Sequence, residues 1–205
     1  MKVRTIYFNC FCLLLTCLSA FSQSSFWLSN LDGRGVNAPV FDSNGIRLEG
    51  SNFRAELWGG PTTESVAPAF SYFSHQRVTT PFLTGAGAGY FRDFELRLGP
   101  GDDPSIFAVP PRGWAWLQVR VWDVRVGETY EDAMATGLGG YGESAVLFAQ
   151  GGDPTLLPPD SPGALLGLQS FSLRPIVPEP STWALLLVGG ASALRVALRR
   201  RRIRN

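Results

Sequence analysis

The sequence predicts a mainly β protein: an antiparallel β-sandwich, jelly-roll or immunoglobulin-like, with one short helix. An N-terminal signal helix and a C-terminal transmembrane helix are expected to frame it. Three observations carry that reading. Ala115, Leu117, Val119 and Val121 alternate with Trp116, Gln118, Arg120 and Trp122, the period of two of a half-buried strand. Gly and Pro clusters punctuate the chain at short intervals: GAGAG at 85–89, GPGDDP at 99–104, VPPRG at 109–113 and GGDP at 151–154. Both chain ends carry apolar runs beside basic residues.

Taken in order, residues 1–22 have the layout of a secretory leader. Lys2 and Arg4 precede a largely apolar run from Ile6 to Leu18, and small residues follow at Ala20 and Ser22. Small side chains at those two positions fit a signal peptidase cleft, which places the cut between Ser22 and Gln23. The apolar run is shorter than the ~20 residues that span a bilayer, which argues against a retained anchor. Leu14-Leu15-Thr16-Cys17 approaches a lipoprotein box, but Thr16 suits it poorly. Cys10, Cys12 and Cys17, the only cysteines, all fall in the leader, so the exported chain would hold no thiol or disulfide. Residues 23–176 are then long enough for one domain stabilised by its core alone.

In that domain, Phe53, Ala55 and Leu57 alternate with Arg54, Glu56 and Trp58 as a second strand. Asn44-Gly45 and Gly50-Ser51-Asn52 flank Ile46-Arg47-Leu48 as turn signals, so 46–58 is expected to be a hairpin. Further strands are expected at 76–83, 89–98, 144–150 and 166–174, with 155–165 as an extended strap. Residues 128–135, ETYEDAMA, suit a short helix. Recurrent short strands with such turns suggest the sandwich. Two of the 18 basic residues lie in the leader and six beyond Arg174; the middle holds 10 arginines against all the acids but Glu179. An acidic domain of this kind argues against nucleic acid or anionic lipid as partner.

Candidate chemistry is sparse, and no enzyme activity and no cofactor are expected. His75 is the only histidine and would have to serve any catalytic triad, yet no GxSxG elbow is present and it sits in a strand-like run. One histidine without cysteine excludes ordinary zinc sites. Asp42 with Asn44, and Asp102 with Asp103, are the places where calcium could bind, but Asp and Asn are also favoured in plain turns. Glu128, Glu131 and Asp132 could form carboxylate pairs for glycoside hydrolysis, though acids at a helix start commonly serve the helix itself. GAGAGY lacks the lysine of a phosphate loop. Trp114, Trp116 and Trp122 share one strand parity, and Trp58 lies in the other strand. The Trp face is expected to be core, with the smaller aliphatics against a second layer. Exposed, it would be a stacking platform for sugars, a carbohydrate-binding module.

Residues 177–205 end the chain in three steps: Val177-Pro178-Glu179-Pro180-Ser181, an apolar run, and arginines. Thr182 to Leu198 is 17 residues, interrupted only by Arg195. As a helix it spans about 25 Å, slightly less than the hydrocarbon core, and Arg195 can snorkel. Arg195, Arg199, Arg200, Arg201, Arg202 and Arg204 would stop transfer and stay cytoplasmic, leaving the domain outside. Pro178 and Pro180 favour an extended backbone that keeps the motif clear of the helix. This tripartite tail resembles the PEP-CTERM sorting signal of Gram-negative bacteria. The resemblance covers about the last 29 residues, and the early Arg195 departs from it. It implies an exosortase, a membrane-embedded cysteine transpeptidase-like enzyme, as processing partner. That enzyme would remove the tail, after transient anchoring, and pass the protein to the cell surface or extracellular matrix. FRAELWGGP, LQVRVWD followed by GETYEDA, and LQSFSL resemble an uncharacterised ectodomain of PEP-CTERM proteins from Verrucomicrobia-type bacteria, to which no activity is attached. Extracellular polysaccharide is the partner that the exposed-tryptophan alternative implies.

Overall fold

The computed structural model of the chain describes residues 23–92 and 103–176. The described part is mainly β with one α-helix. In order the strands are β1 Ser24–Ser25, β2 Val40–Phe41, β3 Gly50–Gly60, β4 Ala67–Pro68, β5 Phe70–Ser71, β6 Thr79–Phe82, β7 Pro104–Ile106, β8 Trp114–Asp123, β9 Tyr141–Glu143, β10 Leu147–Gln150 and β11 Phe171–Ser172; α1, Tyr130–Thr136, falls between β8 and β9.

The two longest strands, β3 and β8, form the middle of a six-stranded sheet. They run antiparallel from Phe53↔Asp123 to Gly60↔Trp116. Beyond β3 lie β4 and β6; beyond β8 lie β9 and β10. A second sheet has the order β1-β7-β5, and β11 pairs with β2. That last pair is parallel, a departure from the all-antiparallel expectation. Prolines fall where a missing N–H is tolerated: Pro68 and Pro81 in the short outer strands, Pro104 at the first residue of β7.

The core follows from the alternation. Ala55 and Leu57 of β3, Ala115, Leu117, Val119 and Val121 of β8, and Leu147 and Ala149 of β10 are all at most 7% exposed. They share one cluster with Phe26, Leu28, Val40, Phe82, Phe91, Ile106 and Leu165. Full burial of each leucine contributes about 1.5–3 kcal/mol relative to leaving it in water. Gly59 marks where β7 presses on the sheet: a Cβ there would sit 2.8 Å from Ile106 Cδ1 and 2.7 Å from Leu117 Cδ2. Asn30, wholly buried, joins the loops around this core. Its Nδ2 donates to the carbonyls of Ala38 at 2.8 Å and Gly89 at 2.9 Å, and its Oδ1 accepts from Phe91 N at 2.7 Å.

Several local expectations are corrected. The chain does turn at Asn44-Gly45, where Asp42 N donates to Ile46 O at 2.7 Å, but the hairpin joins β2 to 46–48 through the Phe41↔Arg47 bridge. Gly50-Ser51-Asn52 is the irregular start of β3, not a turn; Gly50 has φ +78, and the β3–β6 register shifts between Gly50 and Arg54. The strand expected at 166–174 is reduced to Phe171–Ser172, and 76–83 and 144–150 contain β6 and β10 as their ordered parts. Of 89–98, Gly89 and Tyr90 belong to no strand, Phe91 and Arg92 make isolated bridges, and 93–98 lie outside the described residues. The expected helix is present, shifted to 130–136. Leader and tail, residues 1–22 and 177–205, lie outside the described residues, and among those described no helix is long and apolar enough to cross a membrane.

Candidate functional site

The register places Trp114, Trp116, Gln118, Arg120 and Trp122 of β8 on the face of the large sheet opposite the core. Gly60, Trp58, Glu56 and Arg54 of β3, Phe148 and Gln150 of β10, and Glu143 and Tyr141 of β9 share that face. The face divides into a covered half and an open half.

The covered half lies under α1. Thr129 starts this helix with a capping box: its side chain accepts from Asp132 N, and Asp132 accepts from Thr129 N. Gly137, left-handed at φ +68, ends it. Gly127 lets the helix approach, since a Cβ there would meet Ala133 N at 2.3 Å. Tyr130 and Ala133 thereby bury against Trp122 and Tyr141. The Tyr130 ring lies 6.4 Å from Trp58 and 5.7 Å from Tyr141, both edge to face. The Arg120 guanidinium sits 3.7 Å over the Trp58 ring and 5.0 Å over Tyr130.

Beneath these rings runs an ionic network. Glu56, at 0% exposure, accepts from Arg77 through both oxygens, and Trp58 Nε1 donates to it at 2.8 Å. Arg77 Nη1 and Nη2 also donate to Glu131, at 2.9 and 3.1 Å. Hydrogen bonding to Glu56 is the main reason the guanidinium is held more firmly protonated than usual. Burial alone would raise the Glu131 carboxyl, but Arg77 outweighs it and leaves it below its ordinary range. Tyr130 donates to Glu143 Oε2 at 3.0 Å; burial first, and then the Glu143 charge, push its hydroxyl well above the ordinary value. Every one of these groups has a partner within the network, so this half is a structural brace.

The open half is aromatic. Trp114 is 54% exposed and Phe148 48%, with Trp116 half-buried beside them. Phe148 lies between the two indoles: 5.1 Å from Trp114 at 19° between planes, and 4.7 Å from Trp116 at 40°. Polar groups rim this stack. Gln150, exposed, donates from Nε2 to Arg112 O at 2.9 Å, and Arg112 pairs with Asp160. Gln118 lies on the inner side, with Nε2 on Ser144 O at 3.1 Å. The 61–66 loop closes over Gly60, opposite Trp116; a Cβ on Gly60 would meet Ser65 O at 2.3 Å. Three contiguous rings, partly in water and held by a rigid sheet, make a surface suited to stacking against a flat apolar ligand face.

No protein-family model, curated protein or solved structure matches the chain. The face must therefore be interpreted from its own chemistry.

The structure separates the residues singled out in the sequence. Of the three β8 tryptophans expected to be core, Trp122 (3%) is buried, whereas Trp114 and Trp116 open to solvent; Trp58 of β3 is buried at 8%. The aliphatic side of β8 is the one that carries the core: Ala115, Leu117, Val119 and Val121 are all 0% exposed. His75 is exposed in the turn after β5 at φ +54, its ring 5.8 Å from Phe107 and its backbone N donating to Ser71 O at 3.1 Å. Asp42 Oδ1 accepts from the backbone N–H of Asn44 and Ile46, both at 2.8 Å, which is turn chemistry. Asp103 is buried at the head of β7 and Asp102 lies outside the described residues. Asp132 caps α1, Glu131 serves Arg77, and Glu128 is exposed. Among the described residues no group of three or more His, Cys, Asp or Glu could hold a metal. Val177, Pro178, Glu179, Pro180, Ser181 and the six terminal arginines from Arg195 to Arg204 lie outside the described residues.

Two features were missed at the sequence level. Glu56 is a lone acid in an apolar strand end, a signal of burial with a partner. Phe148 was recognisable by parity, since Leu147 and Ala149 flank it as the inward residues.

Proposed function

We propose that this chain is an exported cell-surface or matrix protein without catalytic activity, and that its domain binds extracellular polysaccharide on the open aromatic face. In this reading the leader 1–22 directs export, and the tail 177–205 is recognised at Pro178-Glu179-Pro180 and removed by an exosortase. Residues 23–176 form a two-layer sandwich in which the β1-β7-β5 sheet covers the core side of the large sheet, supported by the close approach of Ile106 to Gly59.

The observation that carries the binding proposal is the Trp114–Phe148–Trp116 stack, exposed on a sheet face while the rest of that face is braced shut. The C–H faces of a pyranose pack on such rings, and the amides and guanidinium at the rim supply partners for its hydroxyls. Titration of the exported protein with soluble envelope and plant polysaccharides, followed by tryptophan fluorescence, tests it. Binding should be lost in Trp114→Ala and Trp116→Ala with folding retained. Silence of the wild-type protein toward every polysaccharide would remove the binding proposal. Sorting is tested separately: Glu179→Ala with Pro180→Ala should leave the tail uncleaved and the protein in the inner membrane, and normal maturation of that variant would refute it.

A further inference from the structure

Gln23 is the first described residue and is only 1% exposed, yet neither its Nε2 nor its Oε1 has a hydrogen-bond partner. The residues after it fix its position. Ser24 Oγ donates to Pro110 O at 2.6 Å and accepts from Gly113 N at 3.0 Å. Ser25 exchanges backbone hydrogen bonds with Gly152, at 3.2 and 2.9 Å, and accepts one from Gly163 at 3.0 Å. Ser24 and Ser25 pair with Ile106 and Ser105 on one edge, and Ser25 bridges Gly152 on the other, so the chain just after Gln23 is held from both sides.

We propose that Gln23 is a modification site, converted to pyroglutamate once it becomes the amino terminus. This rests on the reading that the leader is cut between Ser22 and Gln23. That cut creates an α-ammonium on a residue whose own side-chain amide is already enclosed without a hydrogen-bond partner. Burying an unpaired charge is strongly unfavourable, and burying an unpaired amide less so. A terminal glutamine can relieve both in one step. The uncharged α-nitrogen attacks Cδ of its own side chain and forms the C–N bond of a five-membered lactam. The Cδ–Nε2 bond breaks, and Nε2 takes the proton released by the α-nitrogen and departs as ammonia. Nothing is oxidised or reduced and no co-reactant is consumed. The product has no terminal charge and no Nε2 donors. What remains buried is one lactam N–H and one carbonyl. The same ring blocks aminopeptidases from the strand that opens the fold.

The test is mass spectrometry of the full chain expressed with its own leader in an exporting Gram-negative host. The peptide ending at Arg34 is expected to begin at position 23, to be one ammonia lighter than its unmodified sequence, to resist stepwise amino-terminal degradation, and to be opened by pyroglutamyl peptidase. A synthetic peptide of residues 23–34 carried through the same handling should stay largely uncyclised. A start at Gln23 with a free amine and full mass would overturn the modification and leave the cleavage reading standing. A start at any other residue would overturn both. Cyclisation of the synthetic control to the same extent would overturn the claim that the exported chain arrives already modified.

Discussion

Arg77→Met is the perturbation that most directly examines how the covered half of the sheet is held. Glu56 is 0% exposed, and the Arg77 side chain is 29% exposed with Glu131 as its second partner. Removing the guanidinium leaves a buried carboxylate with the Trp58 Nε1 donor alone. Breaking a buried pair from one side costs about 3–5 kcal/mol. Because Arg77 reaches the surface, water can enter its place, so the lower end, about 3 kcal/mol, applies. For a domain of this size each kcal/mol shifts the melting temperature by about 2–4 °C, so a fall of roughly 6–12 °C is expected. Thermal and urea unfolding of the purified protein would measure it, at low and high salt, since a buried pair is screened little. Glu56→Gln combined with Arg77→Met should be more stable than Arg77→Met alone, because no buried charge remains. A loss below about 1 kcal/mol for Arg77→Met, or a strong salt dependence, would place the pair among ordinary surface bridges and refute the reasoning.

Other expected outcomes follow from the same geometry. Asn30→Ala strands the Ala38 carbonyl and the Phe91 N–H, while Gly89 O keeps its bond from Val40 N, and at about 1–3 kcal/mol for each stranded group it should lower the urea midpoint severely. Gly139→Ala should destabilise the fold more than Gly137→Ala: both glycines have positive φ, but only at Gly139 would the Cβ strike Pro175 O, at 1.9 Å. Stability should also depend on pH at both extremes. The Glu131 carboxyl is lowered, so its contribution is full above the ordinary carboxylate value and is lost as pH falls through the folded one. The Tyr130 hydroxyl is raised, so its contribution is full below the ordinary tyrosine value and is lost as pH rises toward the folded one. Melting curves across pH should therefore show an alkaline decline that Tyr130→Phe flattens; an unchanged decline would refute the assignment.

Much of this architecture was legible because β8 and β3 are long and half-buried, where period-two patterning is strongest. The short helix was legible from its formers, though its start moved to Tyr130 because Thr129 and Asp132 form the cap. The two- and three-residue strands were not. Pro104-Ser105-Ile106 sits in a stretch dense with turn residues, and nothing local distinguishes it from a loop; its pairing with β1 and β5 is set by tertiary contacts. Gly50-Ser51-Asn52 reads as a turn because glycine serves turns and bulges equally. The aromatic face was identified by parity, but parity cannot say which side is inward. The structure turns the alanine, leucine and valine side of β8 into the common core and leaves the indoles on the other side. Of the indoles, only those reached by α1 were covered.

The carboxyl end of the described chain is secured on two sides. Leu173 N donates to Phe41 O, while Arg174 N donates to Tyr141 O and Gly140 N to Arg174 O. Tension applied beyond Ile176 would therefore load bonds to both β2 and β9 together instead of peeling one strand from a free edge. A domain fastened this way resists being unravelled from its carboxyl end.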